Sequence, residues 1–181
     1  MHDITPDAVI TFWTNAGPAR WFAHDAAFDA ACREGFLDAH IAASCNRFDA
    51  WAESAPGALA LCLLLDQMPR NIYRDSAHAY ATDPLALHVA TQAIERGLDR
   101  MLDVDLRRFL YLPFEHCEDL AMQERSVDLH RSTGVDGYDQ WAVHHRAIIQ
   151  RFRRFPHRNR VLGRVSTPEE QAYLDDGGFG G

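Results

Sequence analysis

Three times the chain writes a helix start in the same chemistry, and nowhere does it sustain the alternation that a strand requires. Thr5-Pro6, Asp83-Pro84 and Thr167-Pro168-Glu169-Glu170 each place a capping side chain ahead of a proline. The missing proline N–H costs nothing in a first turn, where amides lack partners anyway. Thr167 and Glu170 also have the spacing of a capping box. After Thr5, the residues Val9, Phe12 and Trp13 fall on one helical face, and the segment opened by Asp83 runs to Gly97, a natural terminator. Longer helical patterns cover residues 26–45, 57–68, 113–131 and 139–154. The expectation is an all-α fold: a single domain over residues 1–176, built of antiparallel helices and helical hairpins, with a Gly-rich tail at 177–181. No repeat of fixed period is present, so any solenoid character is degenerate.

Composition narrows the functional classes. The longest apolar run, residues 58–65, falls well short of the roughly 20 residues of a membrane span. The start, MHDITPDAV, has neither a basic region nor an apolar signal core, which points to the cytoplasm. A net charge of −8 opposes nucleic acid and anionic membranes as partners. The cysteines Cys32, Cys45, Cys62 and Cys117 form no CxxC pair and read as reduced and structural. All 18 basic residues are arginines, and seven lie between Arg146 and Arg164, where no Asp or Glu occurs. Each guanidinium offers a planar fork suited to carboxylate or phosphate.

Three polar segments stand out. In DQMPRN, Pro69 should kink or stop a buried helix near Met68, leaving Asp66 at the negative end of the helix dipole. Arg70 is the obvious partner for that acid, and Asn71 follows it. In FEHCEDLAMQ, a helix opening after Pro113 would place His116, Asp119 and Gln123 on one inward face, with Glu115 and Glu118 pointing elsewhere in an early turn. His116 with Asp119 reads either as a core hydrogen-bonded pair or as an acid–base pair. In the third segment, Trp141, His145, Ile148, Phe152 and Phe155 follow a helical stripe, which makes His145 a core-edge residue. Pro156 ends that helix and frees Arg154, His157, Arg158 and Asn159 to reach across the fold. No HExxH or comparable spacing points to a metal, and no cofactor motif accompanies these residues.

The order and spacing of these segments resemble an uncharacterised bacterial family, the domain of unknown function 924. The resemblance rests on Phe12-Trp13, Trp21-Phe22, LLDQMPRNIYR, FLYLPFEHCEDLAMQ and RFPHRNRVLGRVSTPEE, and spans residues 9–174. It implies an all-helical fold of the tetratricopeptide-like class and supplies no reaction. One departure is visible: the family pattern has a glycine before the arginine of RFPHRN, where this chain has Arg153.

Three functional readings follow. The first is a helical binding module whose crevice, lined by Asp66, Arg70, Asn71, His116, Asp119, Gln123, Arg154, His157, Arg158 and Asn159, takes a small anionic ligand or an acidic protein segment. The second is a metal-independent hydrolase with His116, His157 and Asp119 as candidate catalytic groups. The third is purely structural: Asp66, Asp119 and Glu115 neutralise Arg154 and Arg158 as the arginine segment clasps earlier helices.

Overall fold

The computed structural model of the protein describes residues 4–180; Met1–Asp3 and Gly181, the outermost ends of the N-terminal stretch and of the glycine-rich tail, lie outside the described residues. Among the described residues all regular structure is helical and no strand occurs. No helix among them is long and apolar enough to cross a membrane. Contacts cluster into two compact units. The first holds residues up to Arg74 together with His78–Pro113, and the second holds Asp75–Ala77 together with the chain from Phe114 onward.

The first unit begins with α1 (Pro6–Ala16), whose cap is the expected one: Thr5 Oγ1 accepts the Ala8 N–H at 3.2 Å. A single turn, α2 (Pro18–Trp21), leads to α3 (Ala26–Ser44), where Asp25 accepts two first-turn amides. Next comes α4 (Ala55–Cys62), buried on every side from Gly57 onward. Gly57 is required by space, because a Cβ there would lie 1.9 Å from the Trp51 carbonyl oxygen.

The helix does not stop at Met68. It widens into a π-turn over Leu63–Gln67 and continues as α5 (Met68–Ile72). A π-turn and a proline both leave carbonyls without their regular amide partners. Here side chains fill the gap: His40 Nδ1 donates to Leu64 O at 2.9 Å, Thr82 Oγ1 to Leu65 O at 2.5 Å, and Arg70 to Asp66 O. The proline is thus absorbed by side-chain donors from α3, from the segment before α6 and from Arg70.

The helix expected from Asp83 is α6 (Asp83–Glu95), with Gly97 in the left-handed conformation beyond it. Its cap differs from the expectation. Thr82 occupies the cap position but spends its hydroxyl on Leu65 O, and Asp83 turns to Arg70. The unit's core gathers Trp13, Trp21, Phe28 and Phe109 with the leucines of α4 and the π-turn.

Pro113 lies inside α7 (Val104–Glu115), not ahead of a helix, and this corrects the reading of residues 113–131. Residues 116–119 form a turn, and α8 (Leu120–Arg131) starts only after Asp119, whose side chain accepts the Met122 N–H at 3.1 Å. In the second unit α8 packs against α9 (Gln140–Phe152) across the loop containing Gly134 and Gly137, giving a helical hairpin. Arg153 ends α9 in a left-handed conformation, φ 61°. A short 3-10 turn, Pro156–Arg158, then leads through an irregular segment to α10 (Pro168–Asp175). There the capping box is complete: Glu170 N–H donates to Thr167 Oγ1 at 3.2 Å, and Thr167 N–H to Glu170 Oε2 at 2.8 Å. Phe155 joins Ile148 and Ile149 in this unit's core.

Candidate functional site

In the first unit the DQMPRN residues are engaged by neighbours. Asp66 is fully buried; its carboxylate accepts from Gln67 at 2.5 Å and lies 3.3 Å from Arg70. Arg70 grips Asp83 with both terminal nitrogens at 3.1 Å. Burial works against the guanidinium's charge, but Asp66 and Asp83 outweigh it and raise the pKa of Arg70 above its ordinary value. Asn71 donates to Asp29 at 2.8 Å, and Arg74 holds the same carboxylate at 2.6 and 2.7 Å. Burial would raise the Asp29 pKa, yet Arg74 and Asn71 hold it below the usual range. Arg70 is therefore the partner of Asp66 that the spacing suggests, and Asn71 and Arg74 tie α5 and the turn beyond it to α3.

In the second unit the arginine segment meets acids that the helical-face argument set aside. Glu118 accepts from Arg164 at 2.6 and 2.9 Å and from the Phe155 N–H at 2.7 Å. Burial raises its pKa, but Arg164 and the Phe155 amide reverse the sign and leave it lowered. Arg154 pairs bidentately with Glu170 at 2.6 and 2.8 Å. That contact, helped by the Thr167 amide, brings Glu170 down to about 2. Asn159 donates to Ser166 and Glu170 and accepts from Arg164 at 2.9 Å. Arg158 is buried; its Nη1 donates to His116 O at 3.0 Å, and its guanidinium lies 4.4 Å from the centre of the Phe155 ring. Arg164 thus closes on Glu118, Arg154 on Glu170, and Arg158 reaches the main-chain oxygen of His116.

The proposed face of His116, Asp119 and Gln123 does not form, because residues 116–119 are not helical. Asp119 is an exposed helix cap, while Gln123 is fully buried and donates to Glu115 O at 2.6 Å and Cys117 O at 2.7 Å. Gln123 thereby fixes the turn that carries His116.

What converges instead is a set of rings. His145 lies 6.4 Å from His116, 6.1 Å from His144 and 5.4 Å from Phe155, measured between ring centres. His157 lies 5.6 Å from Phe155 in a tilted arrangement, and Trp141, 52% exposed, borders His144 and His145. His145 Nδ1 lies 2.8 Å from Trp141 O and 3.2 Å from Glu115 Oε1. A carbonyl oxygen can only accept, so Nδ1 carries the proton and Nε2 keeps its lone pair. Burial depresses the basicity of His145 most. Trp141 O partly offsets this, the nearby His116, His144 and Arg158 add to it, and the pKa falls to about 3. Among the described residues, no group of three or more His, Cys, Asp or Glu is placed to hold a metal ion.

The model of a family described as bacterial protein of unknown function, DUF924, matches residues 9–178. The chain belongs to that family. A solved structure of a protein of unknown function from Agrobacterium tumefaciens is 50% identical to this DUF924 chain, with a TM-score of 0.91 over 94% of this chain and 97% of the other. No curated protein matches it. Position 153, where the resemblance implies a glycine, is left-handed, a conformation glycine adopts without steric cost. Sequence reasoning missed Glu118, Glu170 and Arg164 as partners. It also read His145 as core edge alone and passed over His144 and Phe179. The conspicuous acid run of FEHCED and the arginine of LGR were the signals available for the Glu118–Arg164 pair.

Proposed function

We propose that this is a cytoplasmic helical binding protein of the tetratricopeptide-like kind, whose recognition surface is the histidine cluster of the second unit and whose ligand is a small anion or an acidic protein segment. Neither nucleic acid nor membrane suits it, given its charge of −8. The supporting observation is the grouping of His116, His144 and His157 around His145 and Phe155, with Arg158 against the Phe155 ring. Imidazole N–H groups gathered at one place can supply donors to an incoming anion, and the guanidinium supplies positive potential. Glu115 is buried against His145 Nδ1. On this reading His116, His157 and Arg158 serve the ligand, directly or as support. Asp66, Arg70, Asn71, Asp119, Gln123, Arg154 and Asn159 hold the architecture.

A second reading, that the polar cluster is purely structural, draws on the pairing of Arg154 with Glu170 and Arg164 with Glu118. The hydrolase reading draws less support. Asp119, its candidate orienting carboxylate, is committed to a helix cap.

The test is a titration with inorganic phosphate, followed by NMR of the histidine ring protons. Shifts confined to His116, His144, His145 and His157, weakened by His157→Gln, are expected. If millimolar phosphate leaves those rings unmoved, the binding reading fails and the structural one takes its place.

A further inference from the structure

The sequence reading treated the glycine-rich tail as an appendage, yet Phe179 is part of the ring cluster. Its ring centre lies 4.7 Å from His145, 5.1 Å from His157, 5.6 Å from His144 and 6.2 Å from Trp141. The three histidine contacts are edge-to-face, the favoured arrangement for aromatic pairs. Trp141, His144 and His145 come from one face of the first turns of α9, and His157 comes from the turn after Pro156. Together they form a box sized for one six-membered ring.

The segment that carries this ring is hinged and lightly anchored. Gly177 is left-handed at φ 80°, and Gly178 passes so close to Tyr173 that an added Cβ would lie 2.5 Å from its carbonyl oxygen. Two hydrogen bonds fix the tail to that residue: Gly178 N–H to Tyr173 O at 2.9 Å, and Phe179 N–H to Tyr173 Oη at 2.9 Å. Tyr173 itself is held at 5.1 Å from Phe152, with Arg151 5.7 Å from its ring centre. A fixed post, two glycines and a ring in a box describe a latch. His145 Nε2, which has no hydrogen-bond partner among the described residues, lies on the ring that Phe179 contacts most closely.

We propose that Phe179 is an internal stand-in for the ring of the ligand: the site takes an aromatic anion, whose ring displaces Phe179 from the box formed by Trp141, His144, His145 and His157. This rests on the anion-binding reading of the same cluster and names its ligand class. The box supplies edges and faces for the ring, the imidazole N–H groups supply donors, and Arg158 supplies the potential for the charge. Binding carries the cost of opening the latch. A ligand that needs an open state sees its affinity reduced by the fraction of molecules that are open.

Three probes separate the parts: inorganic phosphate (charge alone), benzyl alcohol (ring alone) and phenyl phosphate (both). Each is titrated into the wild-type chain and into Gly178→Ala, which keeps the Phe179 ring but forces the tail away from the Tyr173 carbonyl. Tyr173→Phe, which removes only the hydroxyl anchor, is the milder second variant. The expected result is that Gly178→Ala binds phenyl phosphate about tenfold more tightly than wild type, with a smaller gain in Tyr173→Phe and no gain for inorganic phosphate. In the wild type, saturating phenyl phosphate should accelerate hydrogen exchange of the Phe179 amide as its bond to Tyr173 is lost, and inorganic phosphate should not. If phosphate binds but phenyl phosphate neither gains in the variants nor unprotects Phe179, the ring proposal is overturned and the anion reading stands. If benzyl alcohol and phenyl phosphate gain while phosphate never binds, the ring box stands and the anion reading falls. If no probe binds any variant, both fall.

Discussion

Each unit holds charge away from water, but by different routes. In the first, Asp66 and Arg70 are one helical turn apart, and the same stretch reaches Asp83 of α6 through Arg70 and Asp29 of α3 through Asn71 and Arg74. The chain needs donors there because the π-turn and Pro69 leave carbonyls open, and Arg70 serves a carbonyl and two carboxylates at once. In the second, the pairs join residues far apart in sequence, Glu118 with Arg164 and Arg154 with Glu170, and they fix an irregular segment that has no helix of its own. Charge in the first unit repairs a helix; in the second it substitutes for one. The histidine cluster lies beside the second kind of network, where backbone geometry is set by side chains and ring positions are correspondingly specific.

The largest expected effect tests the repair. Arg70→Ala leaves the fully buried Asp66 without its cation and removes a donor from Asp66 O. Breaking a buried pair by deleting one partner costs about 3–5 kcal/mol. Urea unfolding should show that loss. A change below about 1 kcal/mol, the range of an exposed pair, would put the first network on a par with surface charge and erase the contrast.

Next comes the pH dependence that His145 should impose. Its folded pKa of about 3 lies below the unfolded value of 6.5, so the unfolded state binds more protons between those limits. Stability is then full above pH 6.5, falls as pH drops, and has no further loss from this residue below about 3. The slope is about 1.4 kcal/mol per pH unit. Asn at this position retains an N–H for Trp141 O but does not titrate. His145→Asn should therefore flatten the stability–pH curve between pH 6.5 and 4.5 by about that slope relative to wild type. Parallel curves would mean that the ring is not held neutral by burial.

Glu118→Gln probes the substitute helix. The change keeps an acceptor for the Phe155 amide but removes the charge that Arg164 grips. Charge-assisted hydrogen bonds in a half-buried setting suggest a loss of about 2 kcal/mol. Because the Glu118 pKa is lowered in the fold, its contribution is present above the unfolded carboxylate range and is lost as pH falls through the folded value. The difference between wild type and variant should accordingly shrink in acid. A difference that persists unchanged at pH 3 would assign the effect to shape, not charge.

Much of this architecture was written locally. The capping box of Thr167 and Glu170, the Thr5 cap, the extent of α3 and the pairing of Asp66 with Arg70 all follow from residues within four positions of one another. What escaped was non-local or depended on context. Pro113 looks like a helix start because prolines usually are, but α7 had already begun at Val104 and carried the proline within it. That error placed His116, Asp119 and Gln123 on a face that does not exist. The acid run around Glu118 signals charge to be met, but no local spacing links it to Arg164, 46 residues later. Phe179 sits among glycines with no periodicity to mark it, so its place among the histidines is a product of tertiary packing.

The smallest expected effect has the opposite sign. Arg153 ends α9 at φ 61°, where an L side chain crowds its own carbonyl at a cost of about 1–2 kcal/mol. Glycine relieves that crowding but gives back about 0.5–1 kcal/mol through the freer unfolded chain. The Arg153 side chain is exposed, so its removal forfeits little packing. Arg153→Gly should therefore stabilise the protein by about 0.5–1 kcal/mol, read as a rise in the denaturation midpoint with the slope unchanged. The same substitution sharpens the comparison between the units. Arg153 precedes Arg154 directly, so relief of strain there should tighten the Arg154–Glu170 pair and slow exchange of the Thr167 amide, leaving Arg70 and Asp66 unaffected. A destabilised variant would show instead that the arginine side chain itself contributes at the end of α9.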